Sequence, residues 1–283
     1  MVDEFYNIRP VLLIIIIPIL FSCASTQQKQ SEWTHQVIGL LERGELDQAI
    51  TKLNKVIEAH PRDSWAYRIR GIIYLRRHQW DQVISNFNKA IQINREDVIA
   101  YQFRASAYMH TGEYDKAISD YTKILEIDPK DTQRYISRGI AYKEKGELDE
   151  AISDFSRVAQ LHPTNVDAYQ FRGLAYSEKG QYDQAISDFT KALELTPEDY
   201  MTYNHRGIAF YHKSQYDQAI SDYTKALEIN PNDDGAYYNR GVAYYSKQEY
   251  KKSWDDIKKA QDLGYKIPPD FPDKLRKASG RQN

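Results

Sequence analysis

A stretch of 34 residues repeats along this sequence, and the repeat constrains the fold more than any single residue does. The stretch 166–199 reads VDAYQFRGLAYSEKGQYDQAISDFTKALELTPED, and its pattern returns upstream in 132–165 and downstream in 200–233. Seven copies follow one another without a gap, at 30–63, 64–97, 98–131, 132–165, 166–199, 200–233 and 234–265. A fixed period of this kind predicts a stack of similar units in which each unit packs on its neighbours.

Each copy has the pattern of two helices joined by a short turn. In 166–199, large apolar residues alternate at helical spacing with small ones in the order Tyr169, Gly173, Leu174, Ala175, Tyr176. Gly180 then interrupts the helix, and we expect Asp183 to cap a second helix that stops before Pro197. One such hairpin cannot bury its own apolar face, whereas stacked hairpins can.

Several positions keep their residue type from copy to copy. The fourth position is aromatic throughout, in Trp33, Tyr67, Tyr101, Tyr135, Tyr169, Tyr203 and Tyr237. Most copies also have Gly or Ala at the eighth position, Tyr at the eleventh, Ala at the twentieth, an aromatic residue at the twenty-fourth and Pro at the thirty-second. This pattern resembles the tetratricopeptide repeat. The resemblance implies an all-α, right-handed superhelical solenoid of seven helix-turn-helix repeats, with a short capping helix in 266–283.

A second pattern adds opposite charges to this plan. The seventh position is Arg and the twenty-third is Asp in most copies. The pairs are Arg104 with Asp120, Arg138 with Asp154, Arg172 with Asp188, Arg206 with Asp222, and Arg240 with Asp256. We predict that each Arg binds the Asp of its own hairpin through the fork of its guanidinium and thereby fixes the register of the two helices. The alternative is a series of anion-binding sites.

In the repeat family that this chain resembles, the first helix of each hairpin lines the inner wall of the superhelix. The resemblance implies that the second, fifth, ninth, twelfth and thirteenth positions of each copy face this wall. The partner-binding residues predicted there are Arg68, Ile72, Leu75, Arg76, Gln102, Met109, Ile140, Lys143, Gln170, Leu174, Asn204, Ile208, Tyr211, Tyr238 and Tyr245. An apolar floor with scattered polar groups suits an extended or helical segment of another protein. The alternative for the ninth position is that its aliphatic residues belong to the core between neighbouring helices.

Composition and motifs argue against several other functions. The 38 Lys and Arg residues nearly balance the 40 Asp and Glu residues, and without a basic block we expect no nucleic-acid partner. The seven His residues are scattered, and the Gly residues mark turns or close helix contacts rather than a phosphate-binding loop. We therefore expect no catalytic residues, no metal site and no cofactor, and the sequence predicts a protein that is not an enzyme.

The N-terminal residues stand outside the repeats. The apolar run 11–21, VLLIIIIPILF, is shorter than the roughly 20 residues that span a bilayer, which is typical of a secretory signal. It leads into Leu20-Phe21-Ser22-Cys23, which resembles a bacterial lipobox, and Cys23 is the only cysteine of the chain. We predict a lipoprotein signal peptide in 1–22, acylation of Cys23, and a polar tether in 23–29. Ordinary cleavage after Ala24 and an uncleaved anchor are the alternatives.

These features together predict a non-enzymatic scaffold attached to a bacterial envelope by its N-terminal lipid. Ala24 lacks the inner-membrane retention signal of such lipoproteins, which favours the outer membrane, with the repeats facing the periplasm. Resemblance to envelope lipoproteins suggests assembly of a secretin or pilus, recruitment of peptidoglycan-processing enzymes, or support of an outer-membrane complex. Two alternatives remain: a structural protein that forms homo-oligomers, and a regulatory subunit of a separate envelope enzyme.

Overall fold

The computed structural model describes residues 32–280, and every regular element in this range is an α-helix. The predicted signal peptide, Cys23 and the tether 23–29 lie outside the described residues. Within 32–280, no helix combines the length and the apolar character needed to cross a membrane. The chain divides into two compact units, Met1–Glu113 and Tyr114–Asn283, here called the N-terminal and C-terminal units.

The described part of the N-terminal unit contains five helices. They are α1 (Glu32–Glu42), α2 (Leu46–Ala59), α3 (Ser64–Arg76), α4 (Trp80–Ile93) and α5 (Val98–Thr111). Each helix packs against the next one along the chain. The odd-numbered helices are the first helices of the hairpins, and α3 and α5 begin at the residues where the second and third copies of the repeat begin.

The C-terminal unit continues the same alternation. Its helices are α6 (Tyr114–Ile127), α7 (Thr132–Lys145), α8 (Leu148–Leu161), α9 (Val166–Glu178), α10 (Tyr182–Leu195), α11 (Tyr200–His212), α12 (Tyr216–Ile229), α13 (Asp234–Ser246), α14 (Tyr250–Asp262) and α15 (Asp270–Ser279). Consecutive helices pack on each other, and the first helices α7, α9, α11 and α13 also contact one another in sequence. Within each unit, the prediction of an all-α stack of helix pairs is confirmed.

Among residues 32–280, capping side chains stand before the first helix of six hairpins, whereas the second helices α2, α4, α8, α10, α12 and α14 begin without a side-chain cap. In six hairpins an Asp or Asn side chain accepts a hydrogen bond from a backbone N–H of the first turn, at 2.9 to 3.4 Å. These residues are Asp63, Asp97, Asp131, Asn165, Asp199 and Asp233.

The prediction that Asp183 caps the second helix is wrong, because α10 begins at Tyr182 and Gln181 occupies the cap position without a side-chain hydrogen bond. The turn before α10 closes through backbone groups alone. Gly180 has a φ of 73°, and the N–H of Gln181 donates to the carbonyl of Tyr176 at 2.8 Å. This backbone closure leads directly into α10, and Asp183 lies inside the first helical turn rather than at the cap position.

Glycine at the eighth position allows the two helices of a hairpin to approach closely. A Cβ atom on Gly173 would lie 2.7 Å from Cε1 of Phe189, a ring that is fully buried between the helices. The same relation, with distances of 2.6 Å, joins Gly139 to Phe155 and Gly207 to Tyr223. Any larger residue at these positions would have to displace the ring. The recurring pair of a glycine and an aromatic residue therefore builds the core of these three hairpins.

The last helix, α15, closes the stack at its C-terminal end. Phe271 and Leu275 are 9 % and 0 % exposed, and both pack against Ile257 of α14. Continuing the 34-residue register from 234 places Phe271 at the fourth and Leu275 at the eighth position of an incomplete eighth copy. Asp270 is the first residue of this helix, follows Pro269, and accepts a hydrogen bond from Lys274 at 2.6 Å.

Candidate functional site

The repeated arginines of the C-terminal unit, Arg138, Arg172, Arg206 and Arg240, each join three helices. Nε and Nη2 of Arg172, on α9, donate to the two carboxylate oxygens of Asp188 on α10, both at 2.7 Å. Nη1 donates at 3.0 Å to the hydroxyl of Ser156 on α8, the second helix of the preceding hairpin. Equivalent triads are Arg138 with Asp154 and Thr122, Arg206 with Asp222 and Thr190, and Arg240 with Asp256 and Thr224.

The environment of these arginines is closed and half-buried. The Arg172 guanidinium lies 5.6 Å from the ring centre of Tyr169, and the hydrogen bonds to Asp188 raise the pKa of Arg172 above its ordinary value. In the equivalent triad, burial raises the pKa of Asp154, and the hydrogen bond from Arg138 opposes that shift. Because each of the three donor nitrogens already has a partner, this geometry favours a role in helix register over anion binding.

Sequence reasoning missed the third partner of each arginine. It is the residue at the twenty-fifth position of the preceding copy, and the sequence has a small polar residue there in six copies, Asn54, Asn88, Thr122, Ser156, Thr190 and Thr224. In the N-terminal unit, Arg70 bonds Asn86 at 2.8 Å and Asn54 at 2.7 Å, and Arg104 bonds Asn88 at 2.6 Å. Asp120, the predicted partner of Arg104, is a buried residue of α6.

The inner wall of the N-terminal unit is more closed than predicted. Arg68, Ile72 and Leu75, which are predicted to contact a partner, are buried, at 7 %, 6 % and 9 % exposure, and offer little side-chain surface. Nη1 of Arg68 binds Oδ1 of Asp97 at 3.2 Å, and α3 buries side chains around most of its circumference rather than along one stripe. Gln102, Met109 and Arg76 remain half-exposed, and burial lowers the pKa of Arg76.

The inner wall of the C-terminal unit has an accessible apolar floor. Its residues occupy the ninth position of their copies and are Ile140 on α7, Leu174 on α9 and Ile208 on α11. Each is partly exposed, and each also packs against a cluster of buried core residues. Each of these side chains therefore contributes to the core between helices and also keeps a surface that is accessible to solvent.

Polar residues beside this floor connect neighbouring repeats. Lys143 Nζ lies 3.3 Å from Glu178 Oε1, and Tyr211 Oη lies 3.2 Å from Ser246 Oγ, each a link from a twelfth position to the thirteenth position of the next copy. Two further links start at fifth positions. Gln170 donates to Thr202 Oγ1 at 2.7 Å and also to Asp199, and Asn204 accepts from Asn239 at 2.9 Å.

The chain itself covers the last part of this wall. Tyr238 stacks on Tyr265 with ring centres 4.5 Å apart, and Tyr245 meets Phe271 of the capping helix at 5.4 Å. Burial raises the pKa of Tyr238 accordingly. The part of the wall that these contacts leave uncovered is the surface of α7, α9 and α11, and Tyr238 and Tyr245 themselves stay partly exposed.

Among residues 32–280, no group of three His, Cys, Asp or Glu side chains is placed to hold a metal ion. His205 is a core residue that stacks on Phe189 at 5.9 Å, and burial lowers its pKa. His212 stacks on Tyr182 of the preceding hairpin at 4.9 Å. These two histidines contribute ring contacts between hairpins.

Sequence and structure comparisons place these features among known proteins. The tetratricopeptide repeat family model matches residues 98–131 and 166–199, and a second TPR repeat model matches 139–180 and 209–248. No curated protein matches the chain. A crystal structure of a tetratricopeptide repeat protein from Parabacteroides merdae ATCC 43184 is similar over 88 % of this chain and 98 % of its own, at 21 % identity and a TM-score of 0.63.

Two further solved structures are similar in fold. YrrB, described as a TPR protein with an unusual peptide-binding site, is 27 % identical over 69 % of this chain and 97 % of its own, with a TM-score of 0.53. A crystal structure of MamA is 26 % identical over 56 % of this chain and 93 % of its own, with the same TM-score of 0.53.

Proposed function

The chain is a tetratricopeptide-repeat protein, and we propose that it is a non-enzymatic scaffold that holds a segment of another protein against the inner wall of the C-terminal unit. The observation that carries this proposal is the accessible apolar floor of Ile140, Leu174 and Ile208, which lie on the first helices of three successive hairpins. Apolar side chains that repeat at one position along a stack form a continuous strip, which an apolar segment of a partner covers.

The polar links beside the floor support the same function. Lys143, Gln170 and Asn204 hold their neighbours through hydrogen bonds between repeats, so they give the wall a defined shape before a partner binds. A preformed wall loses less conformational entropy on binding than a mobile one. YrrB, which has a peptide-binding site, supports a peptide as the kind of ligand.

We also propose that Cys23 carries lipid and holds the repeats at a bacterial envelope, with the outer membrane and its periplasmic face as the location. The lipobox-like residues 20–23 support this proposal. A tether of seven residues reaches at most about 25 Å, which would keep the repeats close to the membrane surface. Metabolic labelling with a palmitate analogue, compared with Cys23→Ser, tests the anchor, and an unlabelled wild-type chain would contradict it.

Partner binding is tested by isolating the full-length chain from its membranes together with bound proteins. Ile208→Glu places a charge on the floor, and Ile127→Glu is the matched control, because Ile127 is 48 % exposed on α6 and lies outside the inner wall. We expect Ile208→Glu to release a specific partner that Ile127→Glu retains, with equal helical content in both variants. Retention of the same partner by both variants would contradict the proposal.

The same preparations distinguish the two alternative functions. A self-associating structural protein would show a solution mass that rises with concentration and does not respond to Ile208→Glu. A regulatory subunit would co-purify with an enzymatic activity that the isolated chain lacks. For the scaffold, we expect a bound protein in the preparation and a mass of the isolated chain that does not change with concentration. We also expect that no enzymatic activity co-purifies with it.

A further inference from the structure

An unlike pair of side chains marks one edge of the inner wall in the C-terminal unit. Asp167 and Met201 occupy the second position of adjacent copies, in the first turns of α9 and α11, and these two helices contact each other. Both residues are exposed, and Met201, at 42 %, is among the large apolar residues of the described range that face solvent. A carboxylate and an exposed thioether therefore occupy the same repeat position on two helices that contact each other.

The carboxylate of Asp167 has no counter-charge. Among residues 32–280, no cation and no hydrogen-bond donor is paired with it, and burial alone raises the pKa of Asp167 above its ordinary value. Gln170 lies on the same helix face, one turn along α9, and its amide nitrogen already donates to Asp199 and Thr202. The exposed carboxylate of Asp167 is thus an acceptor for which the described residues of its unit supply no donor.

The apolar floor begins two helical turns beyond this edge. Leu174 follows Asp167 by seven residues and Ile208 follows Met201 by seven residues, so each pair lies on one helix face about 10 Å apart. An extended segment covers that distance in about three residues.

This inference rests on the proposed function. We propose that the segment held against this wall carries a lysine or arginine near an aliphatic residue. The cationic group binds Asp167, its alkyl stem lies on Met201, and the aliphatic side chain covers Leu174 and Ile208. A long basic side chain fits this edge because it combines an apolar stem with a charged end, as the methionine and the carboxylate require. An acidic residue at the same place would meet an uncompensated like charge.

A phage-displayed library of random short peptides, selected on the purified full-length chain, tests this inference. Four forms are compared: wild type, Asp167→Asn, Asp255→Asn as a control with the same charge change at an exposed position of α14, and Ile208→Glu. We expect wild type and Asp255→Asn to select peptides with a basic residue about three positions from an aliphatic one. For a synthetic copy of such a peptide, we expect Asp167→Asn to weaken binding about tenfold.

The outcomes separate the two proposals. Selected peptides without basic residues, or equal binding to wild type and Asp167→Asn, would overturn the basic-residue inference. If Ile208→Glu still abolishes the binding of those peptides, the wall remains the binding surface and the proposed function stands. Absence of any selected peptide, or binding unaffected by Ile208→Glu, would overturn the proposed function and this inference with it.

Discussion

Removing one arginine of the triads should destabilise the chain far more than removing the whole charged pair. Asp188 is 5 % exposed, and both of its carboxylate oxygens depend on Arg172. Arg172→Ala deletes these two hydrogen bonds and the bond to Ser156, and it leaves a buried carboxylate without a counter-charge. Stranding a buried charge costs about 3 to 5 kcal/mol of the free energy of unfolding.

The matched double variant Arg172→Leu with Asp188→Leu removes both charges and keeps apolar volume between the helices. Replacing a buried ion pair with apolar residues is often close to neutral, so we expect a loss of no more than about 1 kcal/mol. For a domain of this size, about 1 kcal/mol corresponds to roughly 2 to 4 °C in melting temperature. The single variant should therefore melt on the order of 10 °C lower, and the double variant within a few degrees of wild type.

Thermal unfolding followed by circular dichroism measures this difference, with urea unfolding as the second assay. Arg157→Ala is the matched control, because Arg157 is an exposed arginine of α8, and it should change the free energy of unfolding by no more than about 0.5 kcal/mol. Equal melting of Arg172→Ala and Arg157→Ala would refute the reasoning. So would a double variant that melts as low as Arg172→Ala.

Two further predictions concern the core. Gly173→Ala brings a methyl group within 2.7 Å of the Phe189 ring, and we expect a loss of about 1 to 3 kcal/mol in urea unfolding, whereas an unchanged midpoint would show that the ring moves freely. Burial lowers the pKa of His205, so the unfolded chain binds more protons below about pH 6.5, and stability should fall between about pH 7 and pH 5. His205→Phe, which copies Phe171 of the preceding hairpin, should reduce that fall, and an identical pH dependence in both proteins would contradict the assignment to His205.

The repeat period predicts much of the fold, because the copies share one register. Helices α3, α5, α7, α9, α11 and α13 begin at the first residues of the second to seventh copies. In the same register, the last residue of one copy is the Asp or Asn that caps the first helix of the next copy. The expectation for Asp183 instead placed a capping residue at the second helix of the hairpin. Capping depends on how the turn closes, and backbone hydrogen bonds close the turn before α10.

Accessibility of the inner wall could not be predicted from residue type. Ile72 and Ile140 occupy the same position of their copies, but Ile72 is 6 % exposed whereas Ile140 remains half-exposed. Exposure depends on the neighbouring helices, and α3 is buried on most sides. The position of the covered end also required the structure, because Tyr238 contacts both Tyr265, the last residue of the seventh copy, and Phe271 of the capping helix.

The central claim is that the inner wall of the C-terminal unit contacts the partner. Site-specific photocrosslinking tests it most directly, with benzoylphenylalanine placed at position 208 on the floor in one protein and at position 127 on the exposed surface of α6 in another. The account predicts that position 208 crosslinks to the co-purified partner and that position 127 does not. Crosslinking at 127 with none at 208 would contradict it.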